Sequence, residues 1–208
     1  MSYHDLCLRD TNEGMKELGK ELGWSEESLE LERVFLEAED WGELKRKIGE
    51  RREEADVLIF CGGDETLNRK AASDSRMDVL LHPEKGRKDS GINHVIAREA
   101  SDNGVAIGFD FSMMKASRKK RSHITRHWSK NLMLCGKYDA PFIITSGADE
   151  KWKMRAPEDL APVLNSLNDS IEGMEAVKEN PGKIIERSRE RESEDFVRPG
   201  EKIRGGEE

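Results

Sequence analysis

No stretch of the sequence approaches the ~18–20 consecutive apolar residues that a membrane-spanning helix needs, which excludes a helical membrane protein. Cysteine is scarce: Cys7, Cys61 and Cys135 are odd in number, lack Cys-x-x-Cys spacing, and two of them sit inside apolar runs. Neither a disulfide framework nor a zinc site is expected from them, since a buried thiol behaves as a small hydrophobe. Met1 to Asp10 carries two Asp and an Arg where a secretory signal would have a basic start and an apolar core, so the expected location is the cytoplasm. The chain also lacks the Gly-x-Ser-x-Gly elbow of serine hydrolases; Ser146 stands in Thr-Ser-Gly-Ala instead. Gly62-Gly63-Asp64 has no following Lys-Ser/Thr and reads as a turn, not as a phosphate loop. The last absence is the most informative. Between Phe111 and Tyr138 there is no acid at all.

What the sequence does hold is charge, at 38% of its 208 residues, broken by short apolar runs that argue against disorder. The charge is segregated. From Glu13 to Glu54 acids outnumber bases 14 to 8, whereas the acid-free stretch holds Lys115, Arg118, Lys119, Lys120, Arg121, Arg126, Lys130 and Lys137. A solvated helix face is the commonest meaning of a charge run. Natural surfaces mix signs, however, and a 28-residue block of one sign repels itself unless a polyanion neutralises it. The block therefore points to a polyanion despite a net charge of −8. Lys85, Arg87 and Lys88 form a smaller basic knot, and Asn68-Arg69-Lys70 with Arg76 add further cations. Trp128, among Arg126, His127 and Lys130, reads foremost as an anchor of its helix, with stacking on a base as the alternative. His123 and His127, one helical turn apart, are better placed to donate to phosphates than to hold a metal.

Apolar runs at residues 4–8, 33–38, 55–61, 77–81, 105–111 and 141–145 read as strands, bounded by turn residues such as Asn103-Gly104. Helical spacing separates them, at 11–22, 41–52, 66–75, 93–101 and 122–135. Alternation of this kind predicts an α/β fold with a parallel sheet, and six or seven units without a dinucleotide fingerprint favour a small (β/α) TIM-like barrel, closed or nearly so. A doubly wound open sheet is the alternative. After Arg155 the pattern turns helical: one helix from Pro157, another at 170–179 and a third at 181–192. One domain over 1–192 is expected, followed by a charged disordered tail at 193–208.

In such a barrel the working groups stand at the carboxyl ends of strands. The candidates there are Arg9 with Asp10, Glu37, Asp64, His82 with Glu84, Asp110 and Asp149. A His and several carboxylates could hold a divalent ion for phosphate-ester hydrolysis, but no His-x-His or other local ligand pair supports it. His82 before Pro83 reads rather as a strand-ending residue.

The run from Ala72 to Pro83, Ala-Ser-Asp-Ser-Arg-Met-Asp-Val-Leu-Leu-His-Pro, resembles the ribonuclease P protein component 3 family, an archaeal subunit with a eukaryotic counterpart. Tyr3-His4-Asp5-Leu6, Gly91 to Arg98, Asn103 to Ile107, Ser146-Gly147-Ala148 and Arg155 to Leu160 extend the likeness, in order, over nearly the whole chain. The resemblance implies a barrel related to the polymerase and histidinol phosphatase group of metal-dependent phosphoesterases. That group carries a His-x-His on its first strand and an Asp-Ala-His after a late one; here the matching stretches read Asp5-Leu6-Cys7-Leu8 and Ser146-Gly147-Ala148-Asp149. A hydrolase of that type is thus the alternative function. The implied role is a protein cofactor that works with protein component 2, other protein subunits and the catalytic RNA of ribonuclease P in removing the 5′ leader of precursor tRNA. No catalytic or metal-binding residue is expected in the chain, and Mg²⁺ belongs to the RNA. The expected RNA contacts are Arg69, Arg76, His82, Lys85, Arg87, Lys88, Arg98, Lys115, Arg118, Lys119, Lys120, Arg121, His123, Arg126, Lys130 and Arg155.

Overall fold

Five parallel strands, β1 (Arg33–Leu36), β2 (Val57–Cys61), β3 (Val79–Leu81), β4 (Ala106–Asp110) and β5 (Phe142–Thr145), lie side by side in chain order in a computed structural model. It describes residues 2–191 and the backbone of 192, 196–198 and 201–202. The helices are α1 (Glu13–Glu21), α2 (Glu26–Glu30), α3 (Trp41–Arg51), α4 (Glu65–Ala72), α5 (His94–Asn103), α6 (Arg118–Tyr138), α7 (Pro157–Leu167) and α8 (Glu179–Glu192). The strand order never reverses, so there is no switch point and the doubly wound alternative falls. Successive crossovers of one hand place the helices on one face and roll the sheet into a TIM-like barrel.

The strands read as continuous apolar runs because both faces are covered. In β2, Leu58 and Phe60 face outward with Leu44 and Ile48 of α3, Leu67 of α4 and Trp128 of α6 in one large cluster. Val57 and Ile59 face inward and join Val79, Leu81, Ala106 and Ile143 in the barrel interior, where Ile184 and Ile185 of α8 close one end. That interior is narrow. A Cβ at Gly108 would meet Leu81 Cδ1 at 2.7 Å, so only glycine lets β3 and β4 meet there.

The first expected strand, 4–8, is a correction: it forms no ladder and turns at Leu6 and Cys7, although all five residues are buried. It bridges the two sheet edges instead. Arg33 of β1 donates to the carbonyls of Asp5 (3.0 Å) and Leu6 (3.1 Å). On the other side Asp5 accepts from the Ser146 amide (2.9 Å) and hydroxyl (2.7 Å), and the Arg9 amide donates to Ala148 (2.8 Å). The barrel is thus completed by side-chain and loop hydrogen bonds in place of further strands, which is why five ladder strands suffice where six or seven units were expected. The helix expected at 170–179 shrinks to a single 3₁₀ turn at Gly173–Ala176, and α2 has no counterpart among the expected helices. Of the segment 193–208, Phe196–Arg198 and Glu201–Lys202 pair antiparallel; the expected tail otherwise lies outside the described residues.

At the opposite end of the barrel from the strand carboxyl termini, Asp78 is fully buried and held by Arg52 (2.5 Å), Arg187 (2.9 Å) and Arg191 (3.0 Å). Two of these arginines come from α8, so the carboxylate ties that helix to β3.

Candidate functional site

Most carboxylates expected at the strand ends have structural duties. Asp64 caps α4 by accepting from the Leu67 amide at 3.0 Å, Asp149 pairs with Lys153, Glu37 with Lys85, and Asp10 accepts from the Thr11 amide. Glu84 is buried and turned toward α6, 3.4 Å from the Trp128 indole N–H, and burial raises its pKa. Three groups do converge. His82 Nε2 lies 3.1 Å from Asp110 Oδ2 and 3.2 Å from Arg9 Nη2, and Arg9 Nη2 is 3.5 Å from the same Asp110 oxygen.

Backbone geometry makes this contact. His82 leaves β3 with φ +53°, a left-handed conformation costly for a non-glycine residue, which swings the ring back over the barrel mouth. Its Nδ1 lies 3.0 Å from the Met113 sulfur. Asp110 caps the 3₁₀ turn Phe111–Lys115 by accepting from the Ser112 amide. Burial would raise the Asp110 pKa, but His82 and the Ser112 amide outweigh it and hold the carboxyl below its ordinary value. The three line a cleft of about 310 Å³ with Glu37, Cys61, Lys85, Ser112 and Met113.

This donor set does not suit a catalytic metal. One His and one Asp are too few, and the positive charge that neutralises Asp110 is already supplied by the Arg9 guanidinium. Among the described residues no three His, Cys, Asp or Glu side chains are grouped to hold an ion. His4 bonds to Ser25 at 2.8 Å, away from this cleft.

The acid-free block forms one object: a 3₁₀ turn ending at Lys115 and the 21-residue helix α6, ~30 Å long. Trp128 anchors it, edge-on to Phe109 of β4 with ring centroids 5.3 Å apart and 1% exposed; the anchor reading holds and the stacking alternative falls. Lys115, Arg118, Lys119, Lys120, Arg121, His123, Arg126 and Lys130 are all exposed. The side chains of Arg118, Lys119, Lys120, Arg121 and Arg126 make no ion pair with any described residue. The first turn of α6 holds four cations and no acid, at the helix end where the backbone dipole already disfavours positive charge.

The other expected contacts are dispersed. Arg69 on α4 is exposed and 3.8 Å from Glu99; Arg98 on α5 is exposed and lies over the Tyr138 ring at the far end of α6. Lys88 is exposed without an ion pair to a described residue, but Arg87 is clamped by Asp89 (2.7 Å) and Glu65 (3.2 Å), holding Asp89 at a pKa of about 2. Lys85 pairs with Glu37 at 3.2 Å. Arg76 is locked by two bonds to Asp74 (2.9 and 2.7 Å). Arg155 donates to the Met154 carbonyl and lies 6.0 Å over Phe111. His82 belongs to the cleft, 8% exposed. Asn68 is buried and donates to the carbonyls of Pro83 and Gly91, a loop tie and not a surface contact. The buried Asp78 clamp escapes sequence reasoning; a lone Asp between Met77 and Val79 at a strand start is its only signal.

A sequence profile of the family described as RNase P subunit p30 matches residues 15–193. Proteins named ribonuclease P protein component 3 are similar to the chain: that of Methanococcoides burtonii is 38% identical over 158 residues, which are 75% of this chain and 65% of the relative. That of Methanococcus maripaludis strain C5 is 34% identical over 73% of this chain and 65% of the relative, and that of Haloarcula marismortui 31% over 82% and 72%. The chain thus spans about 65% of the length of the first two. A chain in a cryo-EM structure of archaeal ribonuclease P with mature tRNA superposes with a TM-score of 0.74 at 31% identity, covering 86% of this chain and 78% of that one. Among the described residues no helix is long and apolar enough to cross a membrane.

Proposed function

Because the chain belongs to the RNase P subunit p30 family, we propose that it is an RNA-binding, non-catalytic protein subunit of ribonuclease P, assisting the catalytic RNA in removing the 5′ leader of precursor tRNA in the cytoplasm. The observation that carries this reading is the first turn of α6, where Arg118, Lys119, Lys120 and Arg121 stand exposed and without carboxylate partners among the described residues. A folded RNA packs phosphates against one another, and cations on a rigid helix lower that repulsion at less Mg²⁺. Such contacts read backbone shape and need no base code.

In this reading hydrolysis belongs to the RNA and its Mg²⁺, and protein component 2 and the other protein subunits share the scaffold. The Arg9–His82–Asp110 contact then acts in structure, neutralising a buried carboxylate at the barrel mouth beside the turn that leads into α6. The test is precursor tRNA cleavage by the cognate catalytic RNA at limiting Mg²⁺, with this chain and component 2 added separately and together. Cleavage that appears only with the pair supports the proposal. No effect of the protein, coupled with Mn²⁺-dependent hydrolysis of a phosphomonoester by the chain alone, overturns it.

A further inference from the structure

Trp152 stands apart from the other tryptophans. Trp24 and Trp128 are 3% and 1% exposed, with indole N–H groups donating to the Arg155 carbonyl (2.8 Å) and to Glu84 (3.4 Å). Trp41 is half-buried under Lys70. Trp152 is 75% exposed, and its N–H has no partner among the described residues.

The turn that carries it is rigid. Lys151–Lys153 is a 3₁₀ turn; Lys153 is bonded to both Asp149 and Glu150 (2.7 Å), and the next residue, Met154, is 4% exposed in the core. Beyond it the Arg155 carbonyl accepts from Trp24, and Arg155 itself donates back to the Trp152 carbonyl at 3.2 Å. The backbone beneath the ring is therefore held, which leaves only the side chain's own rotation to be ordered by whatever stacks on it.

Lys151 and Lys153 flank the ring, and the two carboxylates of the same turn, Asp149 and Glu150, are already paired with Lys153. Lys151 Nζ lies 4.5 Å from the ring centroid. β4 and β5 pair with Asp110 opposite Thr145, so the segments leaving them emerge together: Arg155 lies over Phe111, the first residue of the turn that ends at Lys115 and leads into α6. An exposed indole under Lys151, on a turn whose Asp149 feels the charge of Lys115 at the approach to α6, combines a stacking surface with the start of an anionic-backbone track.

Resting on the RNA-binding reading above, we propose that Trp152 is a stacking platform for an unpaired RNA base, adjoining the phosphate contacts of α6. A base offers a flat face to the indole while its phosphate meets the neighbouring lysines, which suits the charge around the ring better than an apolar protein partner does.

The test measures equilibrium binding of the full chain to the transcribed catalytic RNA and to single-stranded poly(A), for wild type, Trp152→Ala, Trp152→Phe and the Lys119, Lys120, Arg121→Ala triple variant. Trp152→Ala is expected to weaken binding about 5- to 150-fold, the span of base–aromatic stacking, with the salt slope unchanged because no ion pair is removed. Trp152→Phe is expected to retain most of the affinity, and the fluorescence quench that RNA produces in wild type to vanish in it. Unchanged RNA affinity in Trp152→Ala alongside weakened binding in the triple variant overturns the platform and leaves the RNA-binding reading standing. Failure to assemble with protein component 2 at unchanged RNA affinity makes the ring a protein contact, which also overturns it. Absence of salt-dependent RNA binding in the wild type removes the underlying reading itself.

Discussion

The carboxylate of Asp110 fills the space that a side chain at residue 147 would need: a Cβ on Gly147 would meet Asp110 Oδ1 at 1.8 Å, and Gly147 has φ +59°. The loop after β5 therefore closes on the buried acid of β4 only because residue 147 has no side chain. Gly147→Ala combines left-handed strain with a clash against a carboxylate already engaged by His82 and Arg9. A drop of about 2–4 kcal/mol in unfolding free energy is expected from those two effects, read from the denaturant midpoint. A midpoint equal to wild type would mean that the loop relaxes freely and that the packing is incidental.

The same carboxylate governs what the cleft can bind. With Arg9 Nη2 3.5 Å from Asp110 Oδ2 and His82 Nε2 against the same oxygen, an added divalent ion would have to displace a guanidinium. Metal analysis of the protein purified with Mn²⁺ or Zn²⁺ in the buffer is expected to find no stoichiometric ion, and phosphomonoester hydrolysis is expected to stay at background. One retained equivalent per chain, absent from His82→Ala, would restore the phosphoesterase alternative.

The strands are legible because burial on both faces leaves an uninterrupted apolar signature, and β1 to β5 fall within or close to the expected runs. Residues 4–8 show the limit of that signal. Leu6, Cys7 and Leu8 are as buried as any strand, but what fixes the segment is Asp5 bonding to Thr145 and Ser146, a contact 140 residues away that periodicity cannot contain. Charge has a similar limit. The absence of acids from 111–138 locates α6, whereas the partners of Arg76 and Arg87, Asp74 and Asp89, lie two residues away in the sequence and pass for ordinary surface charge until their geometry is known. Trp152 sits beside two lysines in the sequence, and only its exposure separates it from three structural tryptophans.

Asp78 predicts an acid limb. Burial alone would raise its pKa, but Arg191, Arg52, Arg187 and the Leu58 amide outweigh burial and hold the carboxyl below its ordinary value. A depressed folded-state pKa stabilises the fold fully above the unfolded value, about 3.9, and that contribution is lost as the pH falls through the folded value. Asp78→Asn leaves three guanidinium groups without their shared carboxylate and is expected to cost about 3–5 kcal/mol at neutral pH. Its difference from wild type should shrink below about pH 4, where Asp78 of the unfolded chain begins to take up a proton while the folded carboxyl still resists it. Asp5 acts in the opposite sense, since burial raises its pKa and its penalty grows as the pH climbs above about 4. Substitutions at the two positions should therefore bend the stability curve in opposite directions in unfolding titrations from about pH 3 to 7.

Cations that are already paired within the protein should matter less to RNA than those that are not. Lys119, Lys120 and Arg121 make no ion pair with any described residue, so each phosphate that the triple alanine variant no longer neutralises should lower the slope of log affinity against log salt by about one. Arg76 and Arg87 donate to Asp74 and Asp89, at 2.7 and 2.8 Å for their Nη2 atoms. A phosphate at either position would have to compete with a carboxylate a few ångströms away, at the expense of an ion pair already made. Arg76→Ala and Arg87→Ala should accordingly leave both affinity and slope near wild type, measured by titration with the catalytic RNA across 50 to 300 mM salt, on the order of the range where such slopes are resolved. The reverse ranking, with Arg76 or Arg87 changing the slope and the α6 variant not, would move the interface from α6 to the turns that follow α4 and β3.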